Sequence, residues 1–217
     1  MADQMARERE RNTMVDCQVR PNTISDRRVT GAMRRLPREA FAPAAANAYC
    51  DADIALGGGR YLFNPYITAR LAQLALDGNP AHALVVGAGA GYLAAILADA
   101  GVAVVALEEE ARLDTGALAV YGPTVEAARG HLAAGWPSGG PYDVIVFEGA
   151  VPAIPPIFAG QLSPGGRVVA VLADDGADGI GRLVLAEPAG AGFAARPVCD
   201  CTARLLPQFR LAPAFRF

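Results

Sequence analysis

Three glycines join an apolar run to a helical stretch in Val85-Val86-Gly87-Ala88-Gly89-Ala90-Gly91-Tyr92. A strand that enters a helix through glycines turns tightly and lets a ligand approach the main chain. It also leaves the free N–H groups of the helix start facing that ligand. The third glycine follows the first by four residues rather than five, which departs from the G-x-G-x-x-G dinucleotide fingerprint. Taken alone, such a loop is weak evidence, since a minority of them, about a third, are merely tight turns.

A second feature narrows the reading. Glu108 ends the next apolar run, VAVVAL at 102–107, and lies 21 residues beyond Gly87. In a right-handed β-α-β unit its carboxylate points into the crevice of the glycine loop, where it would accept two hydrogen bonds from a ribose diol. The competing reading makes 108–110 a solvated strand end and helix start, where acids suit the helix dipole. The sequence puts no arginine beside Glu108 to meet a 2′-phosphate, which argues against NADP. NAD and S-adenosyl-L-methionine both present an adenosine ribose. The first strand of the unit begins only at residue 82, behind a helical cap, as is common in methyltransferases.

Around this unit the chain alternates short apolar runs with helical stretches. A charged leader at 1–13 is read as a frayed helix or as disordered. Ser25 is the expected N-cap of a helix burying Val29, Met33 and Leu36. Residues 44–63 show little periodicity and carry a flexible glycine loop at 57–59. Asn64-Pro65 reads as N-cap and first helical position of a helix burying Ile67, Leu71 and Leu74. Seven strands are expected, at 82–87, 102–107, 124–128, 142–147, 166–172, 181–187 and 192–200. An apolar helix with Ile157, Phe158 and Leu162 precedes the fifth of them. The last two form an antiparallel hairpin, so the sheet is parallel at first and antiparallel at one edge. The division expected is the leader, then one domain at 14–217, with a helical cap at 14–80 and an α/β core at 81–217.

Composition sets the class. A chain of 217 residues suits one domain, and 53% hydrophobic with 19% charged residues excludes an intrinsically disordered chain. The apolar stretches break well short of the roughly 20 residues a bilayer core needs. The polar N-terminus is no secretory signal, so a cytoplasmic location is expected. Net charge is −3, against a nucleic-acid binder, and every basic side chain is arginine. Cys17, Cys50, Cys199 and Cys201 are too scattered for a disulfide scaffold and are read as free, partly buried thiols; with only His82 and His131 beside them, no metal site is expected. A phosphate loop and a serine-hydrolase elbow are both absent. Asn64-Pro65-Tyr66 is similar to the Asn-Pro-Pro-Tyr of amino-group methyltransferases, but it does not follow the fourth core strand as that motif does.

Five segments in order resemble one family closely, from about Val15 to Leu172: VDCQVRPNTISDRRVTGAMRRLPREAFAP, GGGRYLFNPYITARLAQL, VVGAGAGYLAAILA, VVALE, and GHLAAGWPSGGPYDVIVFEGAVPAIPPIFAGQLSPGGRVVAVL. The family is that of the protein-L-isoaspartate O-methyltransferases. The resemblance implies a Rossmann-like methyltransferase fold, a mostly parallel seven-stranded sheet with an antiparallel edge hairpin and a helical N-terminal cap. It implies S-adenosyl-L-methionine as cofactor, with Gly87, Ala88, Gly89 and Gly91 beneath the methionine moiety and Glu108 on the ribose hydroxyls. His131 and Leu132 fall beside the adenine. The reaction implied is methyl transfer to the abnormal carboxylate of an L-isoaspartyl residue in a damaged protein or peptide, whose ester then collapses to a succinimide. No nucleic acid or membrane partner is implied, and the oligomeric state, monomer or homodimer, stays open.

Three positions depart from the family pattern. Thr-Ile-Ser-x-Pro, whose hydroxyls line the acceptor carboxylate, is Tyr61-Leu62-Phe63-Asn64-Pro65 here, with Phe63 at the serine position. Gly-Asp-Gly has become Gly130-His131-Leu132, without the aspartate expected at the adenine amine; His131 is read mainly as a partly buried loop residue. Thr-Ala-Ala after the fourth core strand has become Glu148-Gly149-Ala150. An ionised Glu148 would repel an anionic acceptor by about 1–4 kcal/mol at roughly 4 Å. It would alternatively bind the sulfonium, orient a cationic acceptor, act as a general base, or pair with Arg60 or Arg70. Tyr61, Asn64 and Glu148 are the catalytic candidates, and Tyr61, Phe63 and Tyr66 either line an acceptor pocket or simply pack. Three functions therefore stand open: isoaspartyl repair, the same fold with another acceptor, and a non-catalytic cofactor-binding or regulatory protein.

Overall fold

The computed structural model describes residues 2–44, 46–109, 115–173 and 180–210. Its frame is a seven-stranded sheet of β3 (His82–Val86), β4 (Ala103–Glu108), β5 (Val125–Arg129), β6 (Tyr142–Val151), β7 (Leu162–Ala173), β8 (Ile180–Ala189) and β9 (Gly192–Thr202). Their order across the sheet is β5-β4-β3-β6-β7-β8-β9. β3 to β7 are parallel, and β8 and β9 each run antiparallel to the strand before. The expected mixed sheet with its edge hairpin is the one observed. Strand order reverses between β3 and β6, so their carboxyl ends open a crevice at the topological switch point.

The central strands are apolar throughout because both faces are covered. Alternate residues serve opposite faces. Ala83, Val85, Val104, Ala106, Val144 and Val146 pack under the helices. Leu84, Val86, Val105, Leu107, Ile145 and Phe147 pack against Leu132, Phe158, Leu206 and Phe209 on the other side. The helical side carries α1 (Ala2–Met14), α2 (Arg27–Arg35), α3 (Pro65–Leu76) and α4 (Tyr92–Asp99), with α5 (Thr115–Tyr121) following β4. The opposite side is covered by short 3-10 turns at Leu132–Ala134, Pro137–Gly139, Pro156–Gln161 and Pro207–Phe209.

Several local expectations are corrected. The leader is a helix from its second residue, and Arg11 ties it down by donating from Nε to the carbonyl of Arg34 at 2.6 Å. α2 is capped by Asp26, which accepts from the N–H of Arg28 at 2.8 Å. Ser25 instead gives its N–H to Gln73 Oε1, which joins the start of α2 to α3. The apolar helix around Ile157 is a single 3-10 stretch; Ile157 is 56% exposed and Leu162 already opens β7. Prolines 155 and 156 and Gly160 leave too little chain there for an α-helix. Cys17 is exposed rather than partly buried. The 44–63 stretch contains a hairpin, β1 (Ile54–Gly57) and β2 (Arg60–Leu62). Gly58 and Gly59 make its two-residue turn with φ of 55° and 75°, the left-handed pair such a turn requires. Asn64 caps α3 as expected, accepting from the N–H of Ile67 at 2.9 Å.

Candidate active site

The glycine loop closes the end of β3. The N–H groups of Gly87 and Ala88 both donate to the carbonyl of Leu107 in β4, at 3.0 and 3.1 Å. Gly91 then starts α4 with φ of 84°, and a Cβ there would lie 2.7 Å from Leu118. At Gly87, φ is 76° and a Cβ would come within 2.9 Å of Leu206 and 3.6 Å of Leu132. Glycine is needed at both positions, for backbone shape and for close packing.

Glu108 stands at the end of β4, fully buried beneath this loop. The N–H of Gly89 donates to its Oε2 at 3.1 Å, and the N–H of Glu109 to its Oε1 at 2.9 Å. Glycine loop and carboxylate thus share one crevice, as the spacing suggests. The expectation that no arginine accompanies Glu108 is overturned. Arg60 of β2, 48 residues earlier in the chain, donates from Nε to Oε2 at 2.9 Å and from Nη2 to Oε1 at 2.7 Å. Its Nη1 donates to Gln208 at 2.9 Å. With its charge matched by Glu108 and buried, Arg60 is no free phosphate site. The glycine turn of the β1–β2 hairpin is what delivers it, and a sequence read for neighbours alone does not reveal that. The solvated strand-end reading of Glu108 fails with it, while Glu110 lies outside the described residues.

Glu109 organises the loop that the resemblance sets beside the adenine. Its Oε1 accepts from the N–H of Leu132 at 3.1 Å and lies 3.5 Å from Nδ1 of His131. Leu132 is fully buried, whereas the His131 side chain is 93% exposed rather than partly buried. Sequence reasoning gave Glu109 no role beyond a solvated strand end, although three consecutive acids there were the available signal.

The acceptor-side candidates separate. Asn64 is committed to structure: besides capping α3, its N–H donates to Asp53 at 2.8 Å. Phe63 is core, 2% exposed. Tyr61 lies half-buried under the guanidinium of Arg204, 5.2 Å from its ring centre. Tyr66 is half-buried, with its phenol proton held more firmly by burial and by Cys199. Glu148 lies inside β6 where pairing with β7 slips, between Val146↔Val169 and Ala150↔Val171. The bulge inserts extra residues at the crevice and re-aims the Glu148 side chain, as bulges beside active sites do. Next to it, Gly149 admits Leu206, since a Cβ would fall 2.3 Å from that side chain. The strand end is laced to the C-terminal segment: the N–H of Ala150 donates to Arg204 at 2.8 Å, and the N–H of Leu206 to Ala150 at 2.9 Å.

Glu148 is 6% exposed, and its Oε2 has no hydrogen-bond partner among the described residues. The expected pairing with Arg60 or Arg70 is not formed, because Arg60 is spent on Glu108. Burial pushes the Glu148 carboxyl well above the ordinary carboxylate range, and the charge of Glu108 adds to this; Arg38 and Arg60 pull it partly back. Arg38 is the residue that sequence reasoning missed, since nothing in PREAF marks it apart from a surface arginine. It is fully buried, with Nε donating to Ala48 at 2.7 Å, Nη2 donating to the carbonyl of Phe63, and the guanidinium 5.2 Å from the centre of the Tyr92 ring. Its Nη1 has no partner among the described residues. Burial loosens its proton, which Tyr92, Cys50 and Glu148 offset in part. Two buried arginines and two buried glutamates thus gather beneath the switch point, and among the described residues Glu148 and Arg38 retain unused hydrogen-bonding atoms.

Comparison with known proteins agrees with this geometry. The family model for protein-L-isoaspartate(D-aspartate) O-methyltransferase matches residues 9–183. A protein-L-isoaspartate O-methyltransferase of Methylorubrum extorquens is 41% identical over 179 residues, 80% of this chain and 78% of that protein. One from Methanoculleus marisnigri is 36% identical over 187 residues, 82% and 84% of the two chains. Among solved structures, a Plasmodium falciparum chain assigned to the same family, in complex with S-adenosyl-L-homocysteine, superposes with a TM-score of 0.74 over 91% of this chain and 98% of that one. At 17% identity it shows likeness of fold. A glycine loop, its strand-end carboxylate and these matches along the sequence converge: the chain belongs to the protein-L-isoaspartate O-methyltransferase family.

Proposed function

We propose that this protein transfers a methyl group from S-adenosyl-L-methionine to the abnormal carboxylate of L-isoaspartyl residues in damaged proteins or peptides, the opening step of their repair. The observation that carries the reading is the pairing of the glycine loop with the buried Glu108 at the switch point, in a chain 41% identical to a protein of that name. The donor set fits the cofactor: glycines without side chains at the strand end, and a carboxylate to accept from ribose hydroxyls. S-adenosyl-L-methionine, when bound, supplies an electrophilic methyl group on a sulfonium sulfur. Glu108 would accept from the ribose hydroxyls with the same oxygens that serve Arg60, and Glu109 would hold the Leu132 loop in place beside the adenine. The acceptor is already ionised at neutral pH, so the protein has no proton to remove and its task is alignment.

Titration of the purified protein with S-adenosyl-L-homocysteine, followed by an isoaspartyl peptide and its aspartyl isomer with S-adenosyl-L-methionine, tests this. Micromolar cofactor-product binding and methyl ester on the isoaspartyl peptide alone are expected. Absence of binding, or equal methylation of the two isomers, overturns it. A second reading, the same chemistry on another acceptor, is favoured by Phe63, which offers no hydroxyl at the family's serine position. Binding of S-adenosyl-L-homocysteine without peptide methylation would select it.

A further inference from the structure

Among the described residues, buried polar atoms left without partners include Oε2 of Glu148 and Nη1 of Arg38, together with the hydroxyl of Tyr92 whose ring packs on Arg38. Buried polar groups in folded proteins are nearly always satisfied, and an exception calls for an explanation. The first two belong to side chains that feel each other's charge, yet no hydrogen bond joins them. A direct salt bridge would have been the simplest way to satisfy both. The chain instead fixes Arg38 by its other nitrogens, to the carbonyls of Ala48 and Phe63, and sets Glu148 on a strand bulge. The carbonyl that holds Arg38 belongs to Phe63, the residue at the position where the family carries its acceptor hydroxyl.

We propose that Arg38 Nη1 and Glu148 Oε2 form the acceptor-carboxylate site of this protein, with Glu148 as a carboxylic-acid hydrogen-bond donor that replaces the family's hydroxyl. The inference rests on the function proposed above and names the residues that select its substrate. Both donors bind the carboxylate oxygen that does not attack. That oxygen keeps its orientation while the other forms the bond to the methyl carbon and the carbon–sulfur electrons leave with sulfur. A neutral acid kept as a donor by a buried site is a known device in enzymes. The groups facing Glu148 are Glu108 from β4, Arg60 from β2 and Arg38 from the turn before β1. Glu108 favours the protonated form and the arginines oppose it. When Glu148 ionises, the donor becomes a second anion facing the acceptor.

The test is calorimetric titration of isoaspartyl peptide into the full chain saturated with S-adenosyl-L-homocysteine, between pH 5 and pH 9. In the parent, peptide affinity should fall as pH rises, approaching tenfold per unit once Glu148 ionises. Glu148→Ala should weaken peptide binding at least tenfold at pH 6. Glu148→Gln, a donor that cannot ionise, should recover most of that loss and abolish the alkaline fall. Affinity for S-adenosyl-L-homocysteine, measured on the same samples, should move less than threefold in both variants, which also reports that they fold. Peptide affinity unchanged in Glu148→Ala, or an alkaline fall that persists in Glu148→Gln, overturns the assignment and leaves the methyltransferase reading standing. A parent that fails to bind S-adenosyl-L-homocysteine overturns both.

Discussion

Arg60 grips Glu108 with two parallel hydrogen bonds, 2.9 and 2.7 Å long, at 4% and 0% side-chain exposure. The guanidinium therefore stands where the ribose hydroxyls of a bound cofactor are proposed to donate. Cofactor binding and the hairpin that carries Arg60 are thereby competitors for one carboxylate. Arg60→Gln should lower stability by about 3–5 kcal/mol, because it leaves a buried charge without its partner. The same variant should gain more from saturating S-adenosyl-L-homocysteine than the parent does, since no guanidinium has to be displaced. Thermal unfolding with and without the ligand reads both effects. Equal ligand-induced shifts in the two proteins would show that Arg60 does not compete.

Stability should respond to pH in opposite senses at two carboxyls. The proton of Asp143 is held loosely, first by the hydroxyl of Ser163 and then by the N–H groups of Ala81 and His82. Its contribution is present above the unfolded value near 3.9 and is lost as pH falls through the lower folded value. Glu148 is raised instead. Its burial is tolerated below about 4.3, the unfolded value, and costs progressively more as pH rises toward the folded one, because the unfolded chain gives up a proton that the native state keeps. Urea unfolding should show Glu148→Gln gaining on the parent between pH 5 and 8, and Asp143→Asn losing least relative to the parent at the acid end.

At Gly149 a methyl group has no room. With a Cβ 2.3 Å from Leu206 Cγ, Gly149→Ala should cost about 1–3 kcal/mol by overpacking. Combining it with Leu206→Ala should cost less than the sum of the two, by a coupling energy of about 0.5–3 kcal/mol. Additive losses in a double-mutant cycle would mean that the two residues do not meet.

Asn64 was a catalytic candidate by position alone. As the cap of α3 it should cost about 1 kcal/mol when replaced by alanine, and Asn64→Asp should recover most of that. Turnover per folded molecule should be untouched by Asn64→Asp, as measured by activity normalised to the folded fraction.

Much of the frame was legible because its signals are local. The central strands read from continuous apolar runs, Gly87 to Gly91 from a glycine cluster between strand and helix, and the start of α3 from Asn64-Pro65. The site was less so, because its chemistry is made by distance in the chain. Arg60 reaches Glu108 across 48 residues, and Gln208 meets Arg60 across 148. Arg38 is written like any arginine at the end of a basic helix, and only the packing around Tyr92 and Phe63 buries it. The β1–β2 hairpin escaped because β2 has three residues and its glycines suggest looseness, while their positive φ values fix a tight turn. The tail LAPAFRF, whose apolar character suggests a cover for a sheet edge or for a partner subunit, lies outside the described residues.

Leu206 seals Gly87 and Gly149 from a segment that follows every strand of the sheet. The same short stretch gives β6 its hydrogen bonds at Ala150 and gives Arg60 its contact with Gln208. Glycine loop, bulge and hairpin therefore share one latch, and a chain cut before Arg204 would lose all three attachments together.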